Sequence, residues 1–78
     1  MKDLLISIAA GLVDEPDKVT VDVDDINEEG VIVYHLHVAQ DDMGRVIGKD
    51  GRIIKSIREI VRAYSAKNND KVVVNIEE

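Results

Sequence analysis

Residues 46–54 read VIGKDGRII, and this stretch decides how the rest of the chain is interpreted. Two glycines, Gly48 and Gly51, stand three positions apart between segments whose apolar residues have helical spacing. Glycine adopts backbone conformations that cost other residues free energy, so the pair predicts a tight break between two helices. The amides that open a helix and the helix dipole favour anions, and Lys49 and Arg52 flank this point. The stretch therefore predicts a cradle for phosphate oxygens, with a plain glycine-capped corner as the alternative.

Charge is distributed unevenly around this stretch. The whole chain carries a net charge of −6, which by itself argues against a nonspecific nucleic-acid binder. Residues 43–67, however, hold seven basic and two acidic residues, a net charge of +5. The remainder has three basic and fourteen acidic residues, a net charge of −11. This asymmetry favours one face built for a polyanion, although a run of charge on a helix is often only a solvated surface.

Length and composition set further limits. A chain of 78 residues suits one domain over residues 1–78, which would bury only about 60% of its unfolded surface, so dimerisation or a partner would add stability. The sequence has no cysteine, so disulfides and cysteine–zinc sites are excluded and a cytoplasmic location is expected. The apolar N-terminal run is too short to span a membrane and has helical periodicity, so we interpret it as a domain helix.

The remaining segments alternate between helix and strand patterns. Apolar residues at helical spacing predict a first helix over residues 2–13, which Pro16 prevents from continuing. Alternating valines predict a strand over residues 18–25, and a turn ending at Gly30 precedes a second strand over residues 31–39. The other predicted elements are a short helix over residues 43–47, a long helix from Arg52 to about Ala66, a turn over residues 67–70 and a last strand over residues 71–78. The order α-β-β-α-α-β predicts a two-layer α+β fold, with a three-stranded sheet and the helices packed on one face.

Several acidic and aromatic residues have predicted structural roles. Asp41 or Asp42 is expected to cap the short helix, and Asp50 the long one. Tyr34 and Tyr64 fall on the predicted apolar faces of a strand and a helix, so both are expected in the core. Modules that stack bases on aromatic platforms need exposed aromatic residues on a sheet. Recognition of a nucleic acid would therefore rely on backbone contacts, apolar packing and hydrogen bonds to base edges.

The stretch from Val46 to Ile54 resembles the signature of KH RNA-binding domains, Val-Ile-Gly-x-x-Gly-x-x-Ile, and the element order resembles their type II, bacterial arrangement. The run VAQDDMGRVIGKDGRIIKSIR, residues 38–58, is similar to small stand-alone bacterial KH proteins of the KhpA family. The resemblance covers the whole chain and implies a cytoplasmic RNA chaperone that binds single-stranded RNA. It also implies a homodimer, pairing with a larger multidomain KH protein of the Jag/KhpB type, and a link to cell shape and cell-wall homeostasis.

The resemblance also implies an RNA site made of a loop, a floor and a rim. The loop that grips the RNA backbone would be Gly48, Lys49, Asp50 and Gly51, the floor Val46, Ile47 and Ile54, and the rim Arg45, Arg52 and Lys55. About four nucleotides would lie along the groove between this loop and the second strand. The carboxylate of Asp50 places a negative charge in the loop and is expected to weaken binding.

An interaction module is the main alternative function. The same fold would serve as a dimerisation or adaptor domain, with RNA contact delegated to the larger KH partner. The exposed face of the final helix, or the strand surface with Val31 and Val33, would form the interface. His35 and His37 lie two apart on one strand face, but no cysteine or third histidine joins them, so no metal site is predicted. The sequence offers no nucleophile–base pair, so neither an enzyme, a cofactor nor a small-molecule substrate is expected.

Overall fold

The architecture is a three-stranded sheet with helices packed on one side. In the computed structural model, which describes residues 1–67 and 69–78, the elements follow the predicted order α-β-β-α-α-β. They are α1 (Lys2–Ala10), β1 (Thr20–Val23), β2 (Val31–His37), α2 (Met43–Ile47), α3 (Arg52–Ala66) and β3 (Lys71–Glu77). Single 3-10 turns occupy Pro16–Lys18, Gln40–Asp42 and Lys49–Gly51. The predicted α+β fold is confirmed.

The central strand of the sheet is β2. It pairs antiparallel with β1, which places Val21 opposite Leu36, and parallel with β3, which places Leu36 opposite Ile76. These three side chains form one row on the face that the helices cover. The next row, which points to the uncovered face, consists of Asp22, His35 and Asn75. Because the strand order is β1-β2-β3, strand β3 forms one edge of the sheet, next to α3.

A single buried stripe holds α3 against the sheet. Ile54, Ile57, Val61 and Ser65 recur at i, i+3, i+7 and i+11, and each is at most 7% exposed. Burying one such apolar side chain contributes roughly 1.5–3 kcal/mol, so this stripe is a large part of the core of a small chain. The other buried apolar residues are Leu5, Ala9, Val19, Val21, Leu36, Val38, Val46 and Val74. The bounds of α3 agree with the prediction.

The prediction that both tyrosines lie in the core is only half right. Tyr34 is half-buried and packs against the core. Tyr64 is 51% exposed, and Ile60 on the same side of α3 is 49% exposed. Both residues flank the buried stripe, on a part of the helix surface that the sheet leaves about half exposed. The periodicity predicted the apolar side of α3 correctly but not how much of that side the sheet covers.

The loop after α1 is shaped by a distant aspartate. The helix ends at Ala10, three residues earlier than predicted. Asp42 is 2% exposed, and its two carboxylate oxygens accept hydrogen bonds from the amides of Asp14 and Glu15, each at 3.1 Å. Asp42 occupies the N-cap position of α2, as predicted, but it makes no side-chain capping hydrogen bond, because its carboxylate is committed to the segment after α1.

The strands are shorter than predicted at their ends. β1 spans four residues and β2 seven, although the amide of Asp24, beyond the end of β1, still donates to the carbonyl of Val33 at 2.9 Å. The turn at Gly30 is present, with φ of +79°. The predicted turn over residues 67–70 includes residue 68, which lies outside the described residues. No helix in the described part of the chain combines the length and apolar character that crossing a membrane requires.

Candidate nucleic-acid interface

The chain breaks between α2 and α3 at the predicted place. Gly48, Asp50 and Gly51 all have positive φ, of +77°, +56° and +73°. Three such residues within four positions cannot belong to a continuous right-handed helix. Lys49 and Asp50 at the tip are exposed. Residues 48–51 therefore form an open loop that projects between the two helices.

The two glycines have different surroundings. A Cβ atom on Gly48 would lie 2.6 Å from Cγ1 of Ile53, which is a steric overlap. A Cβ atom on Gly51 would meet nothing closer than Cγ2 of Ile54, at 3.8 Å. The space beside the Cα atom of Gly48 is thus occupied by the side chain of Ile53, whereas the space beside Gly51 is open. Only the second glycine leaves space for another molecule to approach the backbone.

Hydrogen bonds within the loop reduce the number of backbone amides that are free to bind a phosphate. The amide of Gly51 donates to the carbonyl of Gly48 at 3.2 Å, and the amide of Arg52 donates to the carbonyl of Lys49. Two of the amides that open α3 are therefore already used within the turn. Gly51, and not Asp50, occupies the N-cap position of α3, so the prediction that Asp50 caps this helix is wrong. Asp50 instead takes a left-handed conformation, which aspartate tolerates better than most residues.

The predicted apolar floor lies mostly below the surface. Val46 is 0% exposed and Ile54 is 7% exposed, and both belong to the core. The prediction that their side chains form the floor of a groove is wrong for Val46 and leaves only a small surface on Ile54. Ile47 and Ile53 are half-buried at the same place. The sequence identified the apolar cluster, but which member faces outward depends on how the five-residue helix α2 packs.

The cations at the rim of the loop fall into two groups. Arg45, before the loop, forms salt bridges with Asp14 at 2.9 Å and with the buried Asp42 at 3.5 Å. Arg52 and Lys55, after the loop, are exposed and have no salt-bridge partner among residues 1–67 and 69–78. The side of the loop that leads into α3 therefore presents the uncompensated positive charge.

A cationic stripe continues from the loop along α3. Lys55, Arg58 and Arg62 recur at i, i+3 and i+7, so they share one face of the helix. That face borders a cleft between α3 and β3, which is lined by Arg58, Val61, Arg62, Val72, Val73 and Val74. The Nε of Arg58 donates to the carbonyl oxygen of Val74 at 3.1 Å, which places an acceptor of the sheet edge inside the cleft.

The cleft does not lie along the strand that the sequence predicted for the RNA groove. The strand that walls it is β3, whereas the sequence predicted a groove along the second strand, which is central and paired on both sides. The course of the groove therefore stays a prediction, and Arg58 and Arg62 are two cations beside the cleft that the sequence analysis did not single out. The sequence did contain a pattern that groups these two arginines with Lys55, because both follow it at helical spacing. Their position beside an edge strand, however, depends on the order of the strands in the sheet.

The two histidines lie on the other side of the sheet from the loop. Their ring nitrogens contact carboxylates of neighbouring strands, at 2.9 Å for His35 Nε2 to Asp24 Oδ2 and 3.0 Å for His37 Nε2 to Asp22 Oδ2. Of the residues whose placement is described, no group of three or more His, Cys, Asp or Glu side chains is arranged to hold a metal ion.

Comparison with known proteins identifies the family. Residues 2–76 match the family described as KhpA/KhpB, KH domain. The chain is 50% identical to the RNA-binding protein KhpA of Clostridium acetobutylicum, over 97% of this chain and 99% of that protein. It is 45% identical to the protein of the same name from Oceanobacillus iheyensis, with the same coverage, and 41% identical to that of Chlamydia caviae, over 100% of this chain and 97% of the relative. The chain belongs to the KhpA/KhpB family of KH domains.

Proposed function

We propose that the protein binds single-stranded RNA, with residues 48–51 gripping the sugar–phosphate backbone. The observation that carries this proposal is the open loop, where left-handed residues interrupt the helix and expose Lys49 beside two cations without a salt-bridge partner among the described residues. KH domains clamp about four nucleotides through a loop of this pattern. The names of the relatives, RNA-binding protein KhpA, support the same ligand.

The course of the RNA follows from the charges along α3. Phosphates would contact Lys49, Arg52 and Lys55, and the strand would then continue toward Arg58 and Arg62. From Gly51 to Arg62 the helix rises by about 16 Å, a length suited to a few nucleotides of single strand. Bases would enter the cleft between α3 and β3 and contact the apolar side chains of Val72 and Val73, because Arg58 already occupies the carbonyl of Val74. A duplex would be disfavoured by the acidic remainder of the chain.

A charge reversal in the loop tests the site. Lys49→Asp would place two acids between the glycines, and we expect RNA affinity to fall at least tenfold because phosphate then meets a negatively charged loop. Binding of a short fluorescent single-stranded RNA by anisotropy measures the effect, and circular dichroism shows whether the fold is kept. The wild type should also lose affinity with salt, with a log–log slope of about −2 if three phosphates are neutralised.

The matched control is Lys2→Asp, which makes the same charge change at the exposed start of α1. An acid in the first turn of a helix is favoured by the helix dipole, so this variant should fold normally. We expect its affinity to stay within about twofold of wild type, because a distant exposed charge is screened at physiological salt. Equal losses in the two variants, or full affinity in Lys49→Asp, would refute the proposed site.

Dimerisation is the second candidate function, and the exposed apolar side of α3 favours it. Ile60 and Tyr64 lie one turn apart and are each about half exposed, at 49% and 51%. The two side chains form one apolar strip on a regular helix, a surface that a second copy of the same helix could cover about a twofold axis. A chain of this size also gains stability from such burial. We propose a homodimer through α3 on these grounds.

Sedimentation of the wild type and of Ile60→Lys tests the dimer. We expect a concentration-dependent dimer for the wild type and a monomer for the variant, because the lysine charge would be buried in the interface. Val73→Lys is the control, since Val73 is similarly exposed, at 44%, but lies on the sheet. A wild type that remains monomeric at high concentration, or a dimer unaffected by Ile60→Lys, would exclude this interface.

Three finer proposals are supported by family membership alone. They are RNA chaperone activity in the cytoplasm, pairing with a larger multidomain KH protein of the Jag/KhpB type, and a role in cell shape and cell-wall homeostasis. Capture of such a KH protein by the tagged wild type, with the Ile60→Lys variant in parallel, tests the pairing. Recovery of unrelated proteins alone would count against it.

A further inference from the structure

The uncovered face of the sheet holds two imidazoles between carboxylates of both neighbouring strands. His35, on β2, directs Nε2 to a carboxylate oxygen of Asp24 at 2.9 Å and Nδ1 to the carboxylate of Glu77. His37 directs Nε2 to Asp22 at 3.0 Å and Nδ1 to the backbone carbonyl of Glu78 at 3.3 Å. Each ring nitrogen of each histidine therefore faces an oxygen atom.

This geometry is suited to the protonated form of His35. A neutral imidazole carries one N–H and one lone pair, so it can donate to only one of two flanking carboxylates. The imidazolium donates from both nitrogens and satisfies both. We propose that protonated His35 is a pH-sensitive clasp, which holds the end of β1 through Asp24 and the end of β3 through Glu77 to the central strand β2.

Carboxylates on both neighbouring strands favour the protonated form of His35. The titratable groups around the ring are Asp22 and Asp24 from the β1 side, His37 on its own strand, and Glu77 at the end of β3. The residue directly opposite on β3, Asn75, is uncharged. The hydrogen bonds with Asp24 and then with Glu77 raise the pKa of His35 above its ordinary value of 6.5, against a smaller effect of desolvation.

The direction of the pH dependence follows from that rise. Because the pKa of His35 is higher in the folded protein than in the unfolded chain, the clasp contributes fully below about pH 6.5 and is lost as pH rises through the folded value. On deprotonation the ring keeps one proton, on Nδ1 or on Nε2, and the two tautomers interconvert, so the end of β3 and the end of β1 are each released for part of the time. The carbonyl of Glu77 accepts the amide of Val38 at 3.1 Å, which makes that amide a reporter of the end of β3.

Titration of the histidine ring protons by NMR tests the clasp directly. We expect a pKa above 6.5 for His35 in the wild type and a lower pKa in both Asp24→Asn and Glu77→Gln. Glu28→Gln is the control, because it removes the same charge from the exposed β1–β2 loop and should change the pKa of His35 much less. A His35 pKa at or below 6.5, or one that responds equally to all three variants, would overturn the proposal.

Hydrogen exchange supplies a second measurement. In the wild type the protection factor of the Val38 amide should fall as pH rises through the pKa of His35, because the end of β3 is then released. In His35→Gln the protection factor should be low and independent of pH over the same range. If that variant does not fold, Glu77→Gln serves in its place, since it removes one side of the clasp. A pH-independent protection factor in the wild type would refute the mechanism.

Discussion

The segment that enters the loop and the segment that leaves it each contain one arginine and one glycine, but these residues have opposite roles. On the entering side, Arg45 is held by two aspartates and Gly48 is packed against Ile53. On the leaving side, Arg52 has no salt-bridge partner in the described part of the chain, and the space beside Gly51 is open. The difference shows that the first half of the motif is held by contacts within the protein, whereas the second half stays open at the surface.

The first prediction tests this difference by adding one methyl group to each glycine. Gly48→Ala should reduce the free energy of unfolding by roughly 3 kcal/mol, because the Cβ overlaps Ile53 and the φ of +77° is strained for alanine. Gly51→Ala should cost only about 1 kcal/mol, since strain from its φ of +73° acts alone. Urea denaturation of both variants measures the difference.

Gly44→Ala is the control for these two variants. Gly44 lies within α2, and a Cβ there would have no neighbour within 4 Å among the described residues, so alanine should be neutral or slightly stabilising. Equal destabilisation by Gly48→Ala and Gly51→Ala would contradict the division of the loop into a packed side and an open side.

Much of this arrangement could be predicted from local sequence. The bounds of α3 and the break at residues 48–51 both follow from periodicity and glycine chemistry. These features depend on residues within one or two helical turns of each other. A pattern read along the chain detects such neighbours well.

The errors concern contacts between distant parts of the chain. Asp42 was expected to cap its own helix, but its partners lie 27 and 28 residues earlier. Val46 was expected at the surface, and its burial depends on how α1, α2 and α3 meet. A cleft that the sequence did not predict is walled by β3, because parallel pairing brings the last strand beside β2. Local periodicity contains no information about these distances.

The second prediction compares the two arginines directly. Arg52→Gln should weaken RNA binding by about tenfold, the effect of losing one charge-assisted hydrogen bond to phosphate. For Arg45→Gln, the loss of binding free energy should be less than half of that for Arg52→Gln, because Arg45 already forms salt bridges with two carboxylates. Anisotropy titrations at one fixed salt concentration measure both. A larger loss of affinity for Arg45→Gln would assign the phosphate contact to the entering side and contradict the proposed difference between the two sides.

The smallest expected effect comes from releasing Arg45. Asp14→Asn removes the carboxylate 2.9 Å from the guanidinium, and the pair is more than half exposed on both sides, so stability should fall by less than about 1 kcal/mol. RNA affinity should rise, by less than about twofold, because Arg45 becomes available to phosphate. Asp17→Asn is the control, because it removes the same charge from the chain. Asp17 is exposed and lies in the 3-10 turn that follows. An equal rise in both variants would mean that the change in net charge alone explains the gain in RNA affinity. The salt bridge of Arg45 would then not limit its contact with phosphate, and the two sides of the loop would not differ in this respect.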